Sequence, residues 1–178
     1  MDLVAILRGV TPDTVIEVTE CLVQSGFKTI EVPLNSPRPL ESIRLLQQQF
    51  AGRAVIGAGT VLPVAQVEAV AETGAQLVLS PNMDVAVIEC TRALGLTSIP
   101  GVATATEAFR ALQAGAHAFK LFPADVLGVA VLKAWLSVMP ANTRIYAVGG
   151  ALYKPGKNIE QIRQTAIDLV RSIAPNAD

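Results

Sequence analysis

Ala114-Gly115-Ala116-His117-Ala118-Phe119-Lys120-Leu121-Phe122-Pro123 is the stretch on which the fold turns. Gly115 suits the left-handed residue that closes a helix. The apolar run that comes directly after it reads as a short strand covered on both faces. The same phrase recurs at Ser25-Gly26-Phe27-Lys28-Thr29-Ile30-Glu31, at Thr73-Gly74-Ala75-Gln76-Leu77-Val78-Leu79 and at Leu94-Gly95-Leu96-Thr97-Ser98-Ile99. Helix starts alternate with these units. Thr11-Pro12-Asp13 offers a cap followed by proline at the first helical position, and Ser36-Pro37, Leu62-Pro63 and Ala103-Thr104-Ala105-Thr106-Glu107 open later helices. Strands are expected near residues 3–8, 28–33, 54–58, 76–80, 96–100, 117–122 and 144–148, with a last helix from about 158 to 173 and ends placed to about 2–4 residues.

Regular strand–helix alternation leaves a doubly wound open sheet or a (βα)8 TIM barrel. The residues at the strand ends favour the barrel. Arg8, Glu31, Gly57-Ala58-Gly59-Thr60, Ser80-Pro81-Asn82, Pro100-Gly101, Lys120 and Gly149-Gly150 stand at the carboxyl ends of seven different strands. A barrel gathers such ends around one mouth, whereas an open sheet concentrates them at a switch point. Gly57-Ala58-Gly59 lacks the GxGxxG spacing of a dinucleotide site.

The totals narrow the class further. At 178 residues, half of them hydrophobic and with a net charge of −1, the chain reads as a single barrel domain, 1–178, with a substantial core. No basic patch argues for nucleic acid. No apolar run reaches membrane-spanning length, and a cytoplasmic location is expected. Cys21 and Cys90 read as reduced, buried thiols. His117 is the single histidine, so a zinc site built on several histidines is excluded and no metal is expected.

Lys120 carries the chemistry. Flanked by oily residues, its ammonium form is disfavoured by desolvation, its pKa should fall, and a neutral amine of that kind forms Schiff bases with ketones. The competing reading is a buried stem with a head that snorkels to water. Glu31, inside an apolar strand, is the partner suited to general-base work; a structural Lys–Glu ion pair is its alternative. Arg8 offers a fixed charge and a donor fork for a carboxylate, against a plain rim arginine. Thr60 offers a hydroxyl to a bound acid, against a helix cap. Gly149-Gly150 leaves backbone N–H groups bare for a phosphate, against an ordinary turn. His117 lies three residues from Lys120 and should face the other way, near the strand base, while Trp135 reads as helix packing.

Together these residues resemble the KDPG/KDPGal aldolase family, the class I keto-deoxy-phosphosugar aldolases. The matching stretches are Ile6-Leu7-Arg8-Gly9, Ile30-Glu31-Val32-Pro33-Leu34-Asn35-Ser36-Pro37, Gly57-Ala58-Gly59-Thr60-Val61, Ser80-Pro81-Asn82, Pro100-Gly101, Lys120-Leu121-Phe122-Pro123 and Ala147-Val148-Gly149-Gly150. The resemblance implies a (βα)8 barrel, a homotrimer, and cleavage of a 2-keto-3-deoxy-6-phospho-aldonate to pyruvate and D-glyceraldehyde 3-phosphate. It implies Lys120 as the Schiff-base lysine with no added cofactor and Glu31 as the proton shuttle. Arg8 and Thr60 would hold the pyruvate end, and Gly149 and Gly150 part of the phosphate. Asn35 and Val148 resemble the galactonate branch: valine cannot bond a sugar hydroxyl as threonine would, so the pocket should favour the other epimer.

The resemblance breaks after Gly150, where one βα unit (helix 7 and strand 8) is missing and the chain runs directly into Ala151-Leu152-Tyr153-Lys154-Pro155-Gly156. Seven strands leave two open edges. Either the protein truly lacks this unit or the sequence as read omits it; the second is favoured, and it predicts a discontinuity at Gly150–Ala151, with Cα atoms much farther apart than about 3.8 Å. Two other functions compete: a different phosphosugar barrel enzyme such as an epimerase, weakened by the scarcity of histidines, and a catalytically impaired binding or assembly protein of the same fold.

Overall fold

The computed structural model describes residues 3–147, 153 and 155–173. In chain order its elements are β1 (Val4–Ile6), α1 (Pro12–Gln24), β2 (Thr29–Pro33), α2 (Pro39–Phe50), β3 (Val55–Gly59), α3 (Val64–Ala71), β4 (Leu77–Leu79), α4 (Val85–Ala93), β5 (Thr97–Ile99), β6 (Gly101–Val102), α5 (Ala105–Gln113), β7 (Phe119–Leu121), α6 (Ala124–Leu136), β8 (Ile145–Ala147) and α7 (Ile159–Ile173). The expected strands and the last helix are present. Strand five is cut in two at Pro100. Proline has no N–H to give to a ladder, while its carbonyl accepts from Lys120 N–H at 2.9 Å. Counting β5 and β6 as one interrupted strand, the described residues hold seven strands and seven helices.

These residues form two compact units. The first comprises residues up to 59, residues 73–75 and the described residues from 153 on. In it β1, β2 and β3 pair in parallel, with Ile6 beside Glu31 and Glu31 beside Gly57. Helix α1 packs on both α2 and α7. Its Val15, Val18 and Leu22 are buried, spaced so that one face of the helix is apolar. The second unit comprises residues 60–72 and the described residues from 76 to 147. There β4 pairs with β5, and β6, β7 and β8 pair in order, all parallel. Phe119 and Leu121 of β7 enter a hydrophobic cluster with Ile88, Ala108, Ala111, Trp135 and Met139 from the helical layer. Trp135 is thus core packing, as its setting in the sequence suggests.

One helix start differs from expectation. α2 begins at Pro39 behind Arg38, whose φ of 45° is left-handed. Ser36 is buried instead, and its Oγ accepts from Gly9 N–H at 2.9 Å. α3 is capped by Pro63, so Thr60 is no helix cap. The junction Gly150–Ala151, where a discontinuity was expected, lies outside the described residues.

The start of α5 is the best-defined cap. Thr104 Oγ1 accepts from Glu107 N–H at 3.2 Å, and Glu107 Oε2 accepts from the N–H groups of Ala103 (2.8 Å) and Thr104 (3.0 Å). These donors, the Ala103 N–H foremost, hold the Glu107 carboxyl below its ordinary 4.5. A carboxyl with a depressed folded pKa adds stability that is present above 4.5 and lost as pH falls through the folded value. Glu107→Gln is expected to lower the urea midpoint at neutral pH and to converge with the parent protein in acid. Thr104→Ala is expected to cost about 1 kcal/mol in the same titration.

Candidate active site

Lys120 occupies the middle of β7 and is 4% exposed. Its neighbours Phe119 and Leu121 point into the helix-facing cluster, so alternation along the strand turns Lys120 to the opposite face. Gly101 is its register partner on β6. Glycine there has a second reason. A Cβ at Gly101 would sit 2.9 Å from Ser80 O and 2.5 Å from the Pro81 carbonyl carbon, closer still to that carbonyl's oxygen. The Ser80-Pro81 backbone therefore runs tightly past the strand that flanks Lys120. Lys120 Nζ stands over the Phe122 ring, 4.9 Å from its centroid, a spacing suited to a cation–π contact.

Glu31 lies in the middle of β2 and is 2% exposed. Register places Gly57 directly beside it and Gly59 one step farther along β3. Strand side chains lean along the strand, and here the carboxylate lies against Gly59. A buried carboxylate and a buried amine are expensive in an apolar setting unless they are partnered, which makes both candidates for function rather than packing.

The remaining sequence-derived candidates differ in how far they are described. Arg8 comes just after β1 in a turn and is exposed. Thr60 comes just after β3, is half-buried, and has a φ of 59°. A β-branched residue in the left-handed region is an outlier. Strain of that kind, about 1–3 kcal/mol, clusters where chemistry needs a fixed geometry. Val148, Gly149 and Gly150 lie outside the described residues. Sequence reasoning took Gly59 and Gly101 only as parts of strand-end stretches and Ser36 as a helix start, and gave none of them a role of its own. For the two glycines the signal was there, since glycine inside a strand marks close approach of another group.

His117 precedes β7, as its spacing from Lys120 suggests. Its Nδ1 accepts from Ser98 N–H at 3.0 Å and its Nε2 meets Arg92 Nη1. Burial first, then the charges of Arg92 and Arg144, hold its pKa below the usual histidine value. The ring is therefore neutral at neutral pH and tied to structure. Burial likewise pushes the Cys21 and Cys90 thiols up, so neither is an activated nucleophile.

Parallel strands, each leading into a helix, define a protein of the α/β class, with a buried glutamate on β2 of the first unit and a buried lysine on β7 of the second. Comparison with known proteins supplies the family. The family model described as "Aldolase: KDPG and KHG aldolase" matches residues 1–167. The 2-dehydro-3-deoxy-6-phosphogalactonate aldolase of Escherichia coli (strain K12) is 38% identical over 193 residues, covering 97% of this chain and 94% of that protein. A probable enzyme of the same name from Rhizobium meliloti (strain 1021) is 41% identical over 186 residues, covering 93% and 88%. A solved structure described as native KDPGal superposes with a TM-score of 0.94 at 38% identity, covering 97% of this chain and 94% of that one. The chain belongs to the KDPG and KHG aldolase family, and its fold is of the (βα)8 type.

The alignments also bear on the missing unit. The Escherichia coli match runs over 193 residues, yet 97% of 178 residues is about 173, so about twenty aligned positions have no counterpart in this chain. That is about the length of one short strand and one helix with their turns.

Gly101→Ala is expected to destabilise the protein by about 1–3 kcal/mol, because the new methyl meets main chain rather than a side chain that could swing away. Chemical unfolding with an unchanged denaturant slope and a lowered midpoint would register it.

Proposed function

We propose that this protein is a class I aldolase that cleaves 2-dehydro-3-deoxy-6-phosphogalactonate, or its gluconate epimer, to pyruvate and D-glyceraldehyde 3-phosphate. The observation that carries the reading is the 4% exposure of Lys120 in a strand of a chain that belongs to this aldolase family. Removal from water favours the neutral amine. Nζ adds to the C2 carbonyl to give a carbinolamine, and loss of water leaves an iminium. Glu31, as carboxylate, takes the proton of the C4 hydroxyl. The C3–C4 bond then breaks, the aldehyde leaves, and its electron pair passes into the enamine on Lys120. Protonation at C3 and hydrolysis release pyruvate and restore the amine. The covalent imine stands where a cofactor would, and the chemistry needs no metal.

Arg8 and Thr60 hold the carboxylate end of the substrate in this reading. Exposure of Arg8 at the end of β1 and the left-handed Thr60 at the end of β3 support it. Gly149 and Gly150 offer main-chain N–H groups to the phosphate, and Val148 selects the epimer. Their assignment rests on the family's order of motifs in the sequence. The same resemblance supports a single barrel domain over 1–178, a homotrimer and a cytoplasmic site of action. Among the described residues no helix is long and apolar enough to cross a membrane.

Borohydride reduction in the presence of pyruvate tests the central claim. The expected result is a reduced pyruvyl adduct on Lys120 in the mass spectrum, absent from Lys120→Ala. Folded protein that is never trapped would instead favour the binding or assembly role. Glu31→Gln is expected to lower kcat by about 10²–10⁴ with a much smaller change in KM, the loss of a positioned proton-transfer group. Val148→Thr is expected to move the ratio of kcat/KM values toward the gluconate epimer by about tenfold, the worth of one added hydrogen bond.

A further inference from the structure

The Glu31 carboxylate is seated on a strand position that has no side chain. We infer that Gly59 is a positioning residue for that carboxylate, which rests on the reading of Glu31 as the proton shuttle. Glu31 pairs with Gly57 in the parallel register, and Gly59 is the next residue on the same face of β3. A Cβ built on Gly59 would lie 2.7 Å from Glu31 Oε1 and closer still to Cδ and Oε2. Real Cβ atoms essentially never approach other heavy atoms within 3.0 Å. Every other residue type would therefore drive the carboxylate away.

The backbone gives glycine no other reason to be here. Gly59 is not among the glycines with positive φ, so alanine can adopt its conformation. Its carbonyl accepts from Leu34 N–H at 2.8 Å, a bond that alanine keeps. What glycine supplies is space. The carboxylate fills it, and the end of β3 thereby fixes how far along the strand direction the acid reaches. Displacement of a reacting group by about 1 Å costs up to about a hundredfold in rate, so a methyl at this position acts on turnover through Glu31.

The experiment compares Gly59→Ala, Glu31→Asp, the double variant and Glu31→Gln, with cleavage kinetics and thermal unfolding on each. Gly59→Ala is expected to fold, to lose about a hundredfold in kcat and to keep KM within about threefold. Aspartate is one methylene shorter and withdraws from the new methyl, so Gly59→Ala/Glu31→Asp is expected to turn over faster than Gly59→Ala alone. A general loosening of the strand would give the opposite result, with the two losses multiplying. Normal kcat in Gly59→Ala, or multiplied losses, overturns the inference. If Gly59→Ala does not fold, the same change in a Glu31→Ala background decides: folding restored there supports the seat, and folding still lost overturns it. Wild-type turnover in Glu31→Gln would remove the shuttle reading and this inference with it, whereas an inactive Glu31→Gln beside an active Gly59→Ala defeats the inference alone.

Discussion

Desolvation of ionisable side chains is the constraint around which this molecule is organised. Glu31 and Lys120 keep 2% and 4% of their surface in contact with solvent. Burying one such ion costs several kcal/mol before any compensation, against a total folding stability of about 5–15 kcal/mol for a domain. A sheet whose strands are covered by helices cannot carry many residues of this kind. Its strands read as near-continuous runs of Ile, Val, Leu and Ala because both faces are shielded from water, and a glutamate and a lysine stand out in β2 and β7 for that reason.

Parallel pairing gives each of these ionisable groups a place. Residues in register on adjacent strands present their side chains to the same face. Glu31 is in register with Gly57, and Lys120 with Gly101. Each buried ionisable group thus has, on the neighbouring strand, a residue that contributes no bulk to the shared face. At Gly59 and Gly101 the fit is tight enough that a methyl would overlap its surroundings, the Glu31 carboxylate in one case and the Ser80-Pro81 main chain in the other. The two glycines therefore differ in what they protect. Gly101 admits a neighbouring backbone, whereas Gly59 admits the carboxylate proposed as the proton shuttle.

Much of this was legible in the sequence because it depends on local chemistry. Glycine after a helix, proline at a helix start and an apolar run of strand length are short-range signals, and the elements they mark are where they were expected. Lys120 and Glu31 were legible for a related reason: a charged residue inside an oily run is conspicuous without any structure. Features set by the approach of distant segments were hidden. Ser36 read as a helix start, yet its hydroxyl is taken up by Gly9 N–H, 27 positions away. Pro100 was placed inside a strand, and its missing N–H divides that strand in two. The left-handed backbone of Thr60 has no signature in a β-branched residue, since the conformation is imposed by its surroundings. The seat at Gly59 required a register, and register is set only by which strands pair.

The shortfall against the relatives bears on the phosphate end of the site more than on the imine. The Escherichia coli relative aligns with 97% of this chain, so the roughly twenty unmatched positions fall within the aligned span. The described chain also returns to its beginning: α7 packs on α1, with the Cys21 thiol 3.8 Å from Ile159 O and Val170 close enough to touch a Cβ at Gly26. On the proposed assignment, every group that handles the keto acid stands on or just after β1, β2, β3 or β7, all of which are present. The phosphate, by contrast, lies far from the bond that breaks. Contacts of that kind act by supplying binding energy remote from the reacting atoms. On that assignment, a cradle with fewer donors would weaken capture of the phosphorylated substrate while leaving a small unphosphorylated keto acid free to condense. On the proposed assignment, imine formation with pyruvate and cleavage of the phosphosugar therefore draw on different residues, and those assigned to the imine stand on strands that are present.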